Sequence, residues 1–229
     1  MQRPATAVRS VVLSAFLLFA IQAAAAEPER KYAPFSEYEM ERSAEIALAR
    51  SAAPERISSR ATIKVLTRGG FEVAVKGDNG FQCLVMRSWS AAPDVQATFY
   101  ARLRAPICFD PIAARTVAPV EELRTTLGLE GKQPEAIAQE VAARYGRGQL
   151  PKMEGAAFAY MWSASQDTGP GFGAWHPHMM VYVPYYENSM LGGNEMGGHA
   201  APFVVGEGTP FSIALIVVDD SFAIKAGGK

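Results

Sequence analysis

All three histidines of this sequence fall within 24 residues, His176 and His178 in Trp175-His176-Pro177-His178-Met179-Met180 and His199 in Gly197-Gly198-His199. Side chains alternate along a strand, so His176 and His178 share one face if this run is extended. Two imidazoles so placed are a common ligand pair for zinc, copper or iron. His199, on a glycine-rich segment, is the candidate third ligand. Met153, Met161, Met179, Met180, Met190 and Met196 lie in or near the same region. Their thioethers favour Cu(I), whereas Glu187, Glu195 or Asp167 would favour a harder ion. The expected centre is thus His176, His178 and His199 holding zinc or copper. A histidine-lined pocket without metal suits the same residues, and so do histidines that only bond nearby backbone while methionines fill an irregular core.

On the same alternation Ala174, His176, His178, Met180 and Tyr182 share a face, with Met180, Tyr182 and the adjacent Trp175 as candidate ligand-binding residues. The opposite face, Trp175, Pro177, Met179, Val181 and Val183, is apolar throughout and reads as the core side. Pro177 removes a ladder donor, which predicts an edge strand or a bulge. Other chemistry is poorly marked. The chain has no G-x-S-x-G elbow, H-E-x-x-H, P-loop or G-x-G-x-x-G before a helix. Ser163 and Ser165 precede the histidines, but nothing in the sequence marks either as activated.

The N-terminus constrains the rest. Arg3 and Arg9 precede an apolar run from Val11 to Ile21, and Ala23-Ala24-Ala25-Ala26 supplies an A-x-A cleavage site. This is the pattern of a secretory signal peptide, residues 1–26, too short in its apolar core for a span. The expected organisation is that leader followed by a single domain over 27–229, periplasmic or secreted, with a boundary near Gly148 to Met153 as the lesser alternative. No later stretch approaches the length of a membrane span, so none is expected after cleavage. A formal charge of −1 gives no footprint for nucleic acid. Cys83 and Cys108 are the only cysteines. In an oxidising compartment they read as a structural disulfide, worth roughly 3 to 4 kcal/mol on a chain-entropy model. That leaves no thiol for catalysis.

Around these residues the elements follow from pattern. Ser36-Glu37-Tyr38-Glu39 has the form of a capping box and predicts a helix from Ser36 to Ser51, ended by Pro54. Three β-rich runs, Thr62 to Thr67, Phe71 to Lys76 and Phe81 to Met86, are separated by Gly69-Gly70 and Gly77-Asp78-Asn79-Gly80 and predict an antiparallel meander. Asp110-Pro111 reads as a cap and first helical residue, with Pro119 interrupting. Pro134 to Gly146 carries Ile137, Val141 and Tyr145 at helical spacing. Strands are expected again at Ala156 to Trp162, Trp175 to Val183 and Phe211 to Val218, the last apolar enough to be central. The fold class is α+β: an antiparallel sheet, N-terminal meander plus C-terminal strands, covered by two to three helices.

Four phrases, Ala49-Arg50-Ser51-Ala52-Ala53-Pro54, Val75-Lys76-Gly77-Asp78-Asn79-Gly80-Phe81-Gln82-Cys83, Pro106-Ile107-Cys108-Phe109 and Trp175-His176-Pro177-His178, resemble an uncharacterised family of bacterial exported proteins. The resemblance implies an envelope origin and carries no activity onto any residue. The sequence therefore supports three readings. The first is an exported binding protein for a metal ion or small molecule with its pocket by His176 and His178. The second is a metal- or histidine-dependent hydrolase, and the third an interaction module of the envelope.

Overall fold

Thr62–Thr67 alternates Ile63 and Val65 with polar residues, and this strand, β1, organises the N-terminal half. The computed structural model describes residues 31–90, 96–169, 176–192 and 201–227; the leader expected over 1–26 lies outside them. A tight turn returns β1 into β2 (Gly70–Val75), paired antiparallel from Thr67↔Gly70 to Ile63↔Val75. The next run does not continue the expected meander. β3 (Gln82–Met86) crosses to the far side of β1 and pairs parallel to it, Thr62↔Gln82 and Ile63↔Cys83. The cause lies in Gly77-Asp78-Asn79-Gly80, which is a crossover and not a hairpin turn. Asp78 N–H donates to the Arg60 carbonyl at 3.0 Å and Gly77 N–H to Thr62 Oγ1 at 3.1 Å. A Cβ on Gly77 would lie 2.3 Å from the Ala61 and Thr62 backbone, so only glycine lets the chain pass there.

β4 (Ala105–Phe109), β5 (Ala157–Met161), β6 (His178–Tyr182), β7 (Phe203–Val205) and β8 (Ile213–Val217) complete a mixed eight-stranded sheet, order β2-β1-β3-β4-β5-β6-β8-β7. Every pair except β1–β3 is antiparallel. β8 is one strand in from an edge, with Ile216 40 % exposed, so its apolar run marks partial and not full burial.

The described residues form five α-helices: α1 (Arg42–Arg50), α2 (Glu55–Ser58), α3 (Pro111–Thr116), α4 (Ala118–Leu129) and α5 (Pro134–Gly146). Asp110 caps α3 as its sequence suggests, accepting from Ala113 N–H at 2.7 Å. Pro119 opens α4 within its first turn, where a missing N–H costs nothing. Pro54 likewise precedes α2 as its N-cap. The Trp89 indole packs against α4 at Gly128, where a Cβ would come within 2.1 Å of its ring. One sheet face meets α3 and α4 through Leu84, Ile107, Phe109, Ala113, Val117, Ala157 and Ala159. The other meets α1 through Leu48, Ala49, Ile63, Val85, Cys83 and Cys108. Cys83 and Cys108 stand directly opposed on β3 and β4 and are joined as a fully buried disulfide. The described residues from 31 to 227 fall in one compact unit. Among the described residues no helix is long and apolar enough to cross a membrane.

The expected capping box at Ser36 is not used, because arginines take the carbonyls a helix would need. Arg87, with no exposure at all, donates from Nε to the Tyr38 carbonyl at 3.0 Å, from Nη1 to the Val85 carbonyl, and from Nη2 to Glu45 Oε1 at 2.8 Å. Arg104 Nη2 donates to the carbonyls of Glu37 and Glu39. Phe35–Glu37 is left as a single 3₁₀ turn, and α1 starts at Arg42 with Glu41 as its cap, accepting from Ala44 N–H at 2.9 Å.

Removing one member of the Arg87–Glu45 pair strands a charge that water cannot reach. Glu45→Gln and Arg87→Met should each lower unfolding free energy by about 3 to 5 kcal/mol in urea titrations, while the double variant, which leaves no unpaired charge, recovers part of that loss. Equal losses in single and double variants would show that packing volume, not charge, is what matters there.

Candidate functional site

β6 carries the histidine run, and its surroundings follow from register. His178 faces Met161 on β5 and Val217 on β8; Met180 faces Ala159 and Leu215; Tyr182 faces Ala157 and Ile213. β6 is internal and regular, not an edge, because Pro177 lies one residue before the ladder, where its carbonyl accepts from Val218 N–H at 2.9 Å. The strand alternates as expected, but the polarity of its faces is reversed. Met180 and Tyr182 point to the face covered by α3 and α4 and belong to the core cluster there. The Tyr182 phenol, 6 % exposed, donates to Met180 Sδ at 3.9 Å. Burial, with the negative charge of Glu121 nearby, pushes that phenol well up. Of the three candidate ligand-binding residues, Tyr182 is thus buried and Met180, partly buried, packs against the same core, while Trp175 lies outside the described residues.

His176 and His178 sit where β6 begins, beside the end of β8. Beyond Val217 the chain turns through Asp219, which caps a 3₁₀ turn at Asp220–Phe222 by accepting from Ser221 N–H at 2.9 Å. Phe222 packs on Trp162, and Ile224 N–H donates to the Trp162 carbonyl at 2.7 Å. This strap places Asp220 Oδ1 2.8 Å from His176 Nδ1. His178 Nδ1 lies 2.8 Å from the His176 carbonyl. A carbonyl can only accept, so His178 carries its proton on Nδ1 and its lone pair on Nε2. An ionised Asp220 imposes the same tautomer on neutral His176. Burial holds the His178 imidazole below the usual 6.5, opposed in part by its bond to the His176 carbonyl, so it is neutral at pH 7.

Trp175, His199, Glu195 and Met196 lie outside the described residues. Among the described residues no three His, Cys, Asp or Glu side chains form a group that could hold a metal ion. Asp167 is engaged elsewhere, accepting from the Tyr100 hydroxyl at 2.9 Å and from Gly169 N–H at 3.0 Å. Glu187 is exposed and bonded to Ser189. Ser163 is fully buried: Ser51 donates to the Leu48 carbonyl, so the 2.7 Å contact between the two hydroxyls is a bond from Ser163 to Ser51. Ser165 Oγ accepts from Ala226 N–H. Among the described residues neither serine contacts a base. Sequence reasoning missed Asp220, whose only signal was the turn-forming Asp219-Asp220-Ser221 after the last strand. It also missed Gln166, whose carboxamide is buried in the segment after β5 with no hydrogen-bond partner among the described residues.

No family model, curated protein or solved structure matches the chain. What the site can do therefore rests on its own chemistry, two imidazoles whose Nδ1 atoms are held by a carboxylate and a carbonyl.

In the unfolded chain His178 gains its proton near pH 6.5, and in the fold only at lower pH. The neutral imidazole's contribution is thus whole above pH 6.5 and lost as pH falls from there toward the folded value. Urea titrations at about pH 7.5 and about pH 5 should show wild type losing more stability than His178→Gln across that interval. An identical loss in both would contradict the burial of this ring.

Proposed function

We propose that this is an exported binding protein, periplasmic or secreted, that holds a zinc or copper ion through Nε2 of His176 and Nε2 of His178, with His199 as the third ligand. The observation that carries the reading is the Nδ1 anchoring of both rings. Histidines that ligate metals donate their other ring N–H to a carboxylate or a backbone carbonyl, which fixes the tautomer and raises ligand basicity. Asp220 and the His176 carbonyl are of those two kinds. A neutral ring is the ligating form, and burial keeps His178 neutral. Imidazole suits zinc and copper alike. Export is supported by the buried Cys83–Cys108 disulfide, which persists in an oxidising compartment, and by the leader pattern of the sequence.

The Asp220–His176 pair favours a second reading, a hydrolase in which Asp220 orients His176 as general base toward a bound water. It ranks below the first because, among the described residues, neither Ser163 nor Ser165 contacts the base.

Titrating Zn(II) and Cu(II) into untagged protein purified from the periplasm separates the two. Metal binding predicts saturable uptake that His176→Ala and His178→Ala abolish and that Asp220→Asn weakens by about 10- to 100-fold. No uptake in wild type would dispose of the metal reading, and ester hydrolysis lost in His176→Ala would then support the second.

A further inference from the structure

We propose that the cleft where α4 and α5 diverge binds a small carboxylate carried on an apolar body. The open cleft there has a volume of about 730 Å³, room for a small organic ligand to lie against its walls, and no residue of the histidine cluster lines it. Its apolar wall is Pro119 and Leu123 of α4 with Leu150. Leu150 is 8 % exposed and belongs to the cluster of Val120, Ile137 and Val141, so that wall is continuous with the interior. An alkyl group resting on it would meet a fixed surface.

The opposite rim is polar and pre-set. Glu140 Oε1 accepts from Arg144 Nε at 2.6 Å and lies 3.9 Å from Arg147 Nη2, while Arg147 Nε donates to Gln149 Oε1 at 3.1 Å. One carboxylate thus holds two guanidiniums together, and the hydrogen bond from Arg144 holds Glu140 below the usual carboxylate range, so it remains charged. Two cations against one anion leave the rim positive. Among the described residues neither terminal nitrogen of Arg144 has a hydrogen-bond partner. A guanidinium edge presents two parallel donors, the geometry a carboxylate accepts in bidentate fashion. The carbonyl end of α5 disfavours an anion, so the guanidiniums must supply the attraction. A neutral apolar molecule would forgo it.

That chemistry is shared by a free medium-chain fatty acid and by the C-terminus of an apolar peptide. Isothermal titration of the mature protein with octanoate, N-acetyl-leucyl-leucine and octanol tests the proposal and separates the sources. One carboxylate should bind saturably, at least about tenfold tighter than octanol. The stronger of the two carboxylates identifies the source. Arg144→Gln with Arg147→Gln should remove the preference over octanol while the melting curve stays put, both side chains being substantially exposed. Leu123→Glu, which puts a like charge against the ligand, should abolish binding of either carboxylate. His176→Ala should leave binding intact, so failure of the metal reading does not touch this one. Absence of saturable binding, equal affinity for octanol, or a preference that survives in the double arginine variant would overturn the proposal.

Discussion

A guanidinium shut away from water must place its N–H groups on protein atoms, and Arg87 does so on three separate parts of the chain. It bonds the Tyr38 carbonyl before α1, the Val85 carbonyl on β3 and the Glu45 carboxylate on α1. Glu45 Oε1 also accepts from Leu66 N–H of β1 at 3.2 Å. One ion pair therefore ties the N-terminal segment, the first long helix and two strands together, and its desolvation is tolerable only while all of these partners stay in place. The effect reaches further. Arg104, half-buried and close enough to Arg87 to feel its charge, is pushed down to about 10, chiefly by burial, and its guanidinium is held by the carbonyls of Glu37, Glu39, Ala101 and Leu103. Tyr38, held from both sides, stacks on Trp89 at 4.2 Å between centroids, and Trp89 in turn rests on α4 at Gly128. This corner thus touches α1 on one side of the sheet and α4 on the other.

The reversed polarity of β6 shows what alternation can and cannot say. It does assign Met180 and Tyr182 to one face, but the count of apolar residues on a single strand does not say which face a helix will cover. That is decided by the neighbours. Ala159 lies beside Met180 and Ala157 beside Tyr182, so two small residues of β5 leave the volume that two large residues of β6 fill. Met179 and Val181, apolar and partly buried, take the other face beside Ile216 and the buried Ala214. The complementarity is a property of two strands in register, invisible along either one.

The same distinction separates the other features that were legible from those that were not. Local chemistry reads well: the Asp110 cap with proline behind it, the helix from Pro134 to Gly146, the strand at Ala157–Met161 and the pairing of two lone cysteines all emerge as their residue types require. Features set by distant partners do not. Ser36 has the right residues for a cap, yet the carbonyls around it belong to Arg87 and Arg104. Gly77 to Gly80 has turn composition, and the close approach to Ala61 that makes it a crossover comes from sixteen residues upstream. Asp220 could be recognised as part of the histidine cluster only once β8 was known to lie beside β6, which brings residues 44 positions apart into a 2.8 Å contact.

Two histidines so close in sequence have acquired different environments, and the difference bears on what they can do together. His176 is partly exposed and meets the carboxylate of Asp220. His178 meets a carbonyl under burial that opposes any charge. The His176 backbone carbonyl that orients His178 belongs to the residue whose ring Asp220 holds, so the strap after β8 positions both rings at once. A change at Asp220 therefore acts on His176 through its side chain and on His178 through the main chain. The disulfide holds β3 to β4, the strand that pairs with β5, and removes both thiols from chemistry. At the start of β6 the two imidazoles are held differently, in a single tautomer at His178 by a carbonyl and steered toward the same tautomer at His176 by a carboxylate.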